Sequence, residues 1–263
     1  MGSGISRSHR VVVVALFAAL AASCGGGQRG SVHSLSSSTP TPTPATSAPT
    51  ATAQPTPKGS GWKTPAGTRL VAVAAKRTIA VYDMSRIKLR LANPNSIGAP
   101  LVFLVIDRRP GWVRVALPIR PNGANGWVRE SDLSLFFDPY RVSVKLSQHI
   151  LVVFRYGKVV ARFPAGIGRP SAPTPTGNFY LTELLQASPS APGAYGPYAY
   201  GLSAFSDVFS EFEGGPGQIG LHGTSDPSSV GASVSHGCIR LRNADVRRLA
   251  KILPLGTPVY IRT

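Results

Sequence analysis

The sequence has only two cysteines, Cys24 and Cys238, and far fewer acidic than basic residues: 11 Asp and Glu against 28 Lys and Arg in 263 residues. So few cysteines exclude a disulfide-stapled scaffold and a multi-cysteine metal site. No apolar run reaches the about 20 residues that a membrane-spanning helix needs; residues 11–22 form a shorter one. The scarcity of acidic residues leaves a formal net charge of +17. Such an excess favours anionic surroundings, either acidic envelope polymers or a lipid surface, or serves solubility alone, because no compact basic run marks a dedicated patch.

Arg7 and Arg10 precede the apolar run, which has the length of the h-region of a secretion signal. It ends in Ala21-Ala22-Ser23-Cys24. This ending resembles a bacterial lipobox, with Ala21 where leucine is usual, and the resemblance implies lipidation of Cys24 and attachment to the membrane. An ordinary signal peptide cleaved near Ser23 is the alternative. Either reading places the working part of the protein outside the cytoplasm, in the cell envelope, which argues against a nucleic-acid partner. If Cys24 is acylated or removed, Cys238 has no intramolecular partner, and an odd thiol in an exported chain is reactive or cross-links to another chain.

Residues 31–58 are dominated by Ser, Thr, Pro and Ala, with Pro40, Pro42, Pro44, Pro49, Pro55 and Pro57 spaced through them. Without apolar periodicity such a segment cannot bury a core and reads as an extended tether. The expected organisation is a signal peptide at 1–23, a tether at 24–60, a small SH3-like β domain at 61–138 and a second domain at 139–263. In the first domain, β-favouring runs at 69–74, 78–82, 100–105, 112–116 and 126–129 alternate with turn signals such as Asn93-Pro94-Asn95 and Arg109-Pro110-Gly111. Trp112 and Trp127 are expected to pack there.

The second domain opens with alternating residues 141–146, then 150–154 and 159–163 flanking Tyr156-Gly157-Lys158, which predicts a hairpin. Residues 184–212 are rich in Gly, Ala, Ser, Pro and Tyr with weak periodicity, which predicts a loop or lid. Residues 218–221 predict a strand that delivers His222. Asn243 is the expected cap of a helix whose apolar face is Val246, Leu249, Ala250 and Leu253, and a strand at 259–262 closes the chain.

The chemistry concentrates around Cys238. His236 stands two residues before it in Ser235-His236-Gly237-Cys238-Ile239-Arg240-Leu241, and His222 sits in Leu221-His222-Gly223-Thr224. An imidazole can take the proton of a thiol, and flanking glycines let backbone amides approach a reacting carbonyl. Acyl transfer at Cys238 is therefore one reading. A metal site built from His222, His236, Cys238 and Asp226 is a second, although the spacing fits no standard zinc motif. A binding module with structural histidines is the third.

The paired motif resembles the signature of L,D-transpeptidases of the YkuD type, which cross-link peptidoglycan, and the resemblance extends over residues 139–263, including Pro173-Thr174-Pro175-Thr176-Gly177 and residues 198–203. It implies a mainly β fold, a YkuD-type β-sandwich with few helices. It further implies Cys238 as nucleophile, His222 as base, His236 as support for the thiolate, and no cofactor. Gly237 and Cys238 would supply oxyanion amides, Gly223 and Ser235 would shape the site, Arg240 would meet a substrate carboxylate, and Tyr198 and Tyr200 would flank the substrate. A backbone carbonyl near Gly223 would orient the imidazole. The implied partners are donor and acceptor stem peptides of peptidoglycan, with carbapenems as covalent inhibitors. Within the same chemistry an L,D-carboxypeptidase, and outside it a catalytically silent peptidoglycan-binding protein, are the alternatives.

Overall fold

The computed structural model of the protein describes residues 43–44, 63–83, 85–188, 190 and 193–263. The expected secretion signal, Cys24 and nearly all of the expected tether lie outside the described residues. The described part is mainly β, as the sequence implies, and falls within one compact unit.

A two-residue strand β1 (Thr43–Pro44) pairs antiparallel with residues 185–186. Strands β2 (Arg69–Ala74), β3 (Thr78–Asp83), β4 (Arg86–Ala92), β5 (Val102–Arg109), β6 (Trp112–Ala116), β7 (Asn125–Arg129) and β8 (Leu133–Asp138) then form an antiparallel sheet in the order β4-β3-β7-β6-β5-β2-β8. Alternating apolar residues drive this sheet: Val113, Val115 and Val128 are fully buried, while Trp112, Arg114 and Trp127 between them are half-exposed. Strands β4 and β8 are missing from the sequence reading. In Arg86–Ala92 charged residues interrupt the apolar ones, and much of the strand lies exposed at the sheet edge.

The second sheet comprises β9 (Tyr140–Lys145), β10 (Ile150–Arg155), β11 (Lys158–Pro164), β13 (Gly177–Gln186), β14 (Tyr198–Phe205), β15 (Gln218–His222), β17 (Ile239–Arg240) and β18 (Pro258–Arg262), in the order β11-β10-β9-β18-β13-β14-β15-β17. A short parallel pair, β12 (Ile167–Gly168) and β16 (Ser233–Ser235), stands apart, and helix α1 (Asn243–Ala250) packs on β14. The expected hairpin forms with Arg155 opposite Lys158, and Tyr156 and Gly157 turn it at φ +49° and +77°.

Residues 184–212, expected as loop, instead contain the inner strand β14. Its neighbours explain why the pattern is unreadable: Ala204, Ser203 and Leu202 are all buried, so both faces are covered and alternation disappears. Gly201 lacks a side chain because the Glu183 carboxylate and Gln218 amide fill that space.

The first sheet has a core of its own, including Ile79, Val81, Phe103, Val113, Val115 and Val128, and shares one face of β5 with the second. Val102 and Leu104 of β5 belong to the large cluster containing Val142, Phe179, Leu202, Leu221, Val246 and Leu249. Burial of each such side chain stabilises by about 1.5–3 kcal/mol, so the first sheet contributes directly to the packing beneath the second.

Asp138 lies at this junction with no exposed surface. Its carboxylate accepts from the Tyr140 amide at 2.8 Å, and its other oxygen lies 2.6 Å from Thr257 Oγ1, which is also 2.8 Å from the Pro254 carbonyl oxygen. The Thr257 hydroxyl donates to this carboxylate oxygen, with the Pro254 carbonyl as its alternative acceptor. Burial raises the Asp138 pKa from 3.8 to about 6, against the lowering effect of the Thr257 and Tyr140 hydrogen bonds. The native state holds this proton more tightly than the unfolded chain, so its stabilising effect is full below pH 3.8 and is lost as pH rises through about 6. Asp138→Asn keeps the shape and does not titrate. Urea titrations should show the variant more stable than wild type by about 2–3 kcal/mol at pH 7 and level with it at pH 3; equal stability at pH 7 would reject the raised Asp138 pKa.

Candidate active site

The site is assembled by the parallel pairing of β15 with β17, in which Leu221 faces Ile239 and His222 faces Arg240. Continuing that register by one residue sets Gly220 opposite Cys238. Further hydrogen bonds fix the strand ends: the Leu241 amide donates to the His222 carbonyl at 2.8 Å, and the Gly223 amide to the Tyr198 carbonyl at 3.2 Å. Asn243, expected to cap α1, does other work. Its Oδ1 accepts from the Thr224 amide at 2.9 Å, while α1 starts without a side-chain cap. Gly223 is required because a Cβ there would collide with Asn243 Oδ1.

The Gly220 amide donates to Cys238 Sγ at 3.3 Å. A Cβ on Gly220 would stand 3.2 Å from His222 Cδ2 and 3.6 Å from Cys238 Sγ, so imidazole and thiol adjoin the same small space. His222 is buried, and its Nδ1 lies 2.5 Å from the Gly223 carbonyl oxygen. A carbonyl only accepts, so Nδ1 carries the hydrogen and Nε2 keeps its lone pair. The orienting carbonyl is thus at Gly223, where the sequence suggests it.

Burial lowers the His222 pKa to about 4; the Gly223 carbonyl opposes this, Arg240 reinforces it and Glu213 opposes it. Burial also raises the Cys238 thiol, an effect countered by the Gly220 amide and by Arg240. Near neutrality the pair is therefore an uncharged thiol and an uncharged imidazole, not a preformed ion pair. An uncharged imidazole with a free Nε2 lone pair is the form that can accept a proton from a neighbouring thiol.

Ser235, almost fully buried, shapes the turn before the thiol. Its Oγ donates to the Cys238 carbonyl at 2.7 Å and accepts from the Gly237 amide at 3.1 Å. The Gly237 amide, expected to meet an oxyanion, is therefore already engaged. The Cys238 amide makes no hydrogen bond among the described residues. Gly237 itself has φ +121°, a conformation that side chains rarely adopt, and Thr174 Oγ1 clamps its carbonyl at 2.8 Å while accepting from the Gly168 amide at 2.9 Å. This gives Pro173-Thr174-Pro175 a concrete part in the site.

The remaining expected residues divide. His236 makes no hydrogen bond with Cys238; its ring lies 5.0 Å from the Phe212 ring and 6.0 Å from that of Phe209. Arg240 is half-buried, bonds through its backbone to Gly166 at 2.8 Å in both directions and exerts its charge on His222, Cys238 and Tyr195. Its guanidinium has no acidic partner among the described residues. Tyr200 is a correction. It is fully buried, with its hydroxyl 3.2 and 3.0 Å from the Leu249 and Leu253 carbonyl oxygens of α1 and its following turn, because alternation in β14 turns it to the core. Tyr198, two residues earlier on the same face, packs against the same cluster. The aromatic residue at the site is Tyr195, which the sequence reading missed. Its ring meets the His222 ring edge-on at 4.7 Å, and its hydroxyl donates to Glu213 Oε2 at 2.5 Å. Burial, then the Glu213 bond, raises the Tyr195 pKa, which keeps it a donor. Among the described residues no group of three or more His, Cys, Asp or Glu could hold a metal ion, and Asp226 is engaged by Ser228.

Gly220→Ala would place a methyl group between base and thiol. Acylation of Cys238 by p-nitrophenyl acetate should slow by about tenfold or more with unchanged far-UV circular dichroism. Wild-type acylation would show that the two groups do not share that space.

Residues 139–261 match the family model described as the L,D-transpeptidase catalytic domain, YkuD. The chain is 36% identical over 123 residues to the protein named as L,D-transpeptidase YkuD of Bacillus licheniformis, covering 47% of this chain and 66% of that protein, slightly under two thirds of its length. It is 32% identical over 136 residues to the protein named as L,D-transpeptidase YqjB of Bacillus subtilis, with 47% of this chain and 71% of that protein covered. A crystal structure of an L,D-transpeptidase from Mycobacterium tuberculosis H37Rv aligns with a TM-score of 0.40 and 23% identity, over 52% of this chain and 64% of the other. With the matched segment spanning both the His222 strand and the Cys238 turn, the chain belongs to the L,D-transpeptidase family of the YkuD type.

Proposed function

We propose that the protein is a peptidoglycan L,D-transpeptidase that acts through Cys238, exported and attached to the membrane by a lipid on Cys24. The observation that carries the reading is the convergence on Gly220 of a thiol held by that residue's amide and an imidazole whose Nδ1 is fixed by Gly223.

The reaction then follows from the residues. The thiol passes its proton to His222 Nε2 while sulfur attacks the carbonyl carbon of the third stem residue, a diamino acid whose α-carbon is L. The oxygen gains the negative charge and meets the Cys238 amide. Collapse of this adduct breaks the bond to D-alanine, and the imidazolium returns its proton to the departing amine. An amine on the side chain of a neighbouring stem next attacks the thioester and yields its proton to His222. The carbon–sulfur bond breaks, a third-to-third cross-link forms, and the thiol is restored. The Arg240 guanidinium beside these groups supplies the positive charge that a stem carboxylate would meet. The surplus of basic residues suits an anionic envelope.

Mass spectrometry of the protein incubated with a carbapenem, and separately with a disaccharide tetrapeptide, tests this directly. One covalent adduct on Cys238 is expected with the carbapenem, and D-alanine plus cross-linked dimer with the stem. Absence of an adduct would reject the enzyme reading, and D-alanine without dimer would assign a carboxypeptidase. Cys238→Ala should abolish both reactions, and His222→Ala should slow acylation by about 10²–10⁴-fold.

The depressed His222 pKa makes a separate prediction. Protonation removes the base only as pH falls through about 4, so the acylation rate should hold from pH 7 to well below 6 and drop near 4. A break near 6.5 would show that the catalytic imidazole is solvated.

A further inference from the structure

Residues 206–217 connect β14 to β15 and are exposed over most of their length. The segment closes on itself at two places: the Ser206 amide donates to the Gly217 carbonyl at 2.8 Å, and Phe212 and Gly215 exchange amide bonds at 2.9 Å. Its outer part meets the active site. Phe209 and Phe212 lie against the His236 ring, and Glu213 holds the hydroxyl of Tyr195, whose ring abuts His222.

Its base is held from the other sheet. Arg120, in the turn between β6 and β7, donates to the carbonyls of Ser206 at 2.8 Å, Phe209 at 2.7 Å and Pro216 at 3.1 Å, reaching both arms of the segment with one guanidinium. Asn122 pairs with the Phe205 backbone in both directions, donating at 2.8 Å and accepting at 2.9 Å, and also donates to Asp207 at 3.2 Å. A planar cation with several fixed donors can bind three carbonyls at once, which a lysine cannot imitate. Gly217 permits the approach, since φ is +67° and a Cβ would sit against the Phe209 carbonyl and 3.0 Å from Arg120 Nη2.

We infer that the 119–123 turn of the first β unit is a positioning element of the active site: Arg120 and Asn122 hold residues 206–217 closed over His236 and, through Glu213 and Tyr195, against His222. The first unit thereby controls access to the thiol and the desolvation of the base without touching substrate. The pH limb in the test below rests on the acyl-transfer reading, whereas the alkylation rate does not, and neither needs a stem peptide.

Arg120→Ala, Asn122→Ala and, as a control on exposed β4, Arg90→Ala should be compared with wild type. One measurement is the alkylation rate of Cys238 by iodoacetamide. The other is the low-pH limb of acylation by p-nitrophenyl acetate. That limb reports the His222 imidazole, which Arg240 and Glu213 influence by charge and beside which Cys238 and Tyr195 lie. Both turn variants should alkylate at least about fivefold faster and move the limb upward from about 4 towards 6.5, with Arg90→Ala unchanged. Unchanged alkylation and limb in the two turn variants would overturn the proposal, even if residues 206–217 became easier to cleave by protease. Should Arg120→Ala fail to fold, Asn122→Ala decides by the same criteria. Failure of the wild type to act on stem peptides would reject the transpeptidase reading while leaving these results to stand.

Discussion

Two residue pairs, Leu221 with Ile239 and His222 with Arg240, hold together everything that makes this protein chemically interesting. Because side chains alternate along a strand, a slip of one residue would turn His222 and the Cys238 turn to opposite faces. The surrounding bonds all serve this register. Asn243 ties the end of β15 to α1, Ser235 closes the turn before the thiol, and Thr174 clamps the Gly237 carbonyl from a separate loop. His222 at the end of β15 and Cys238 in the turn before β17 are thus held by side-chain bonds to the backbone next to paired strands, more rigid supports than loops alone would give.

The electrostatics follow from the same burial. A thiol and an imidazole brought together in water-exposed surroundings can settle as an ion pair, but here desolvation disfavours both charged forms. Arg240 pulls both groups the same way, towards thiolate and towards neutral imidazole, and Glu213 opposes it on both. The site is therefore poised by two opposed charges, one from a strand and one from the connecting segment 206–217.

Much of this was legible in the sequence because it is local. Cys238, His222 and the glycines around them occur in two short motifs, and the chemistry of thiol and imidazole identifies them without a fold. The parts that were not legible arise from contacts between distant residues. Gly220 looks like any glycine in a short apolar run until the register sets it opposite Cys238. Tyr195 lies in a stretch of small residues where no period marks it, whereas the more conspicuous Tyr198 and Tyr200 fall on the core face of β14. Alternation would have sorted these tyrosines had the strand been recognised, but burial on both faces erased the pattern. Arg120 is the extreme case, since nothing near it in sequence hints at the carbonyls it binds.

Strand β18 matters for the integrity of the sheet. It lies between β9 and β13, parallel to one and antiparallel to the other, so among the described residues it joins the β11-β10-β9 half of the second sheet to the half that carries the thiol and imidazole. Without Pro258–Arg262 the sheet would part into two pieces, and Val142, Val144, Phe179 and Leu181 would lose the strand that covers them from between. The short closing strand thus welds the half that carries Cys238 and His222 to the rest of the sheet.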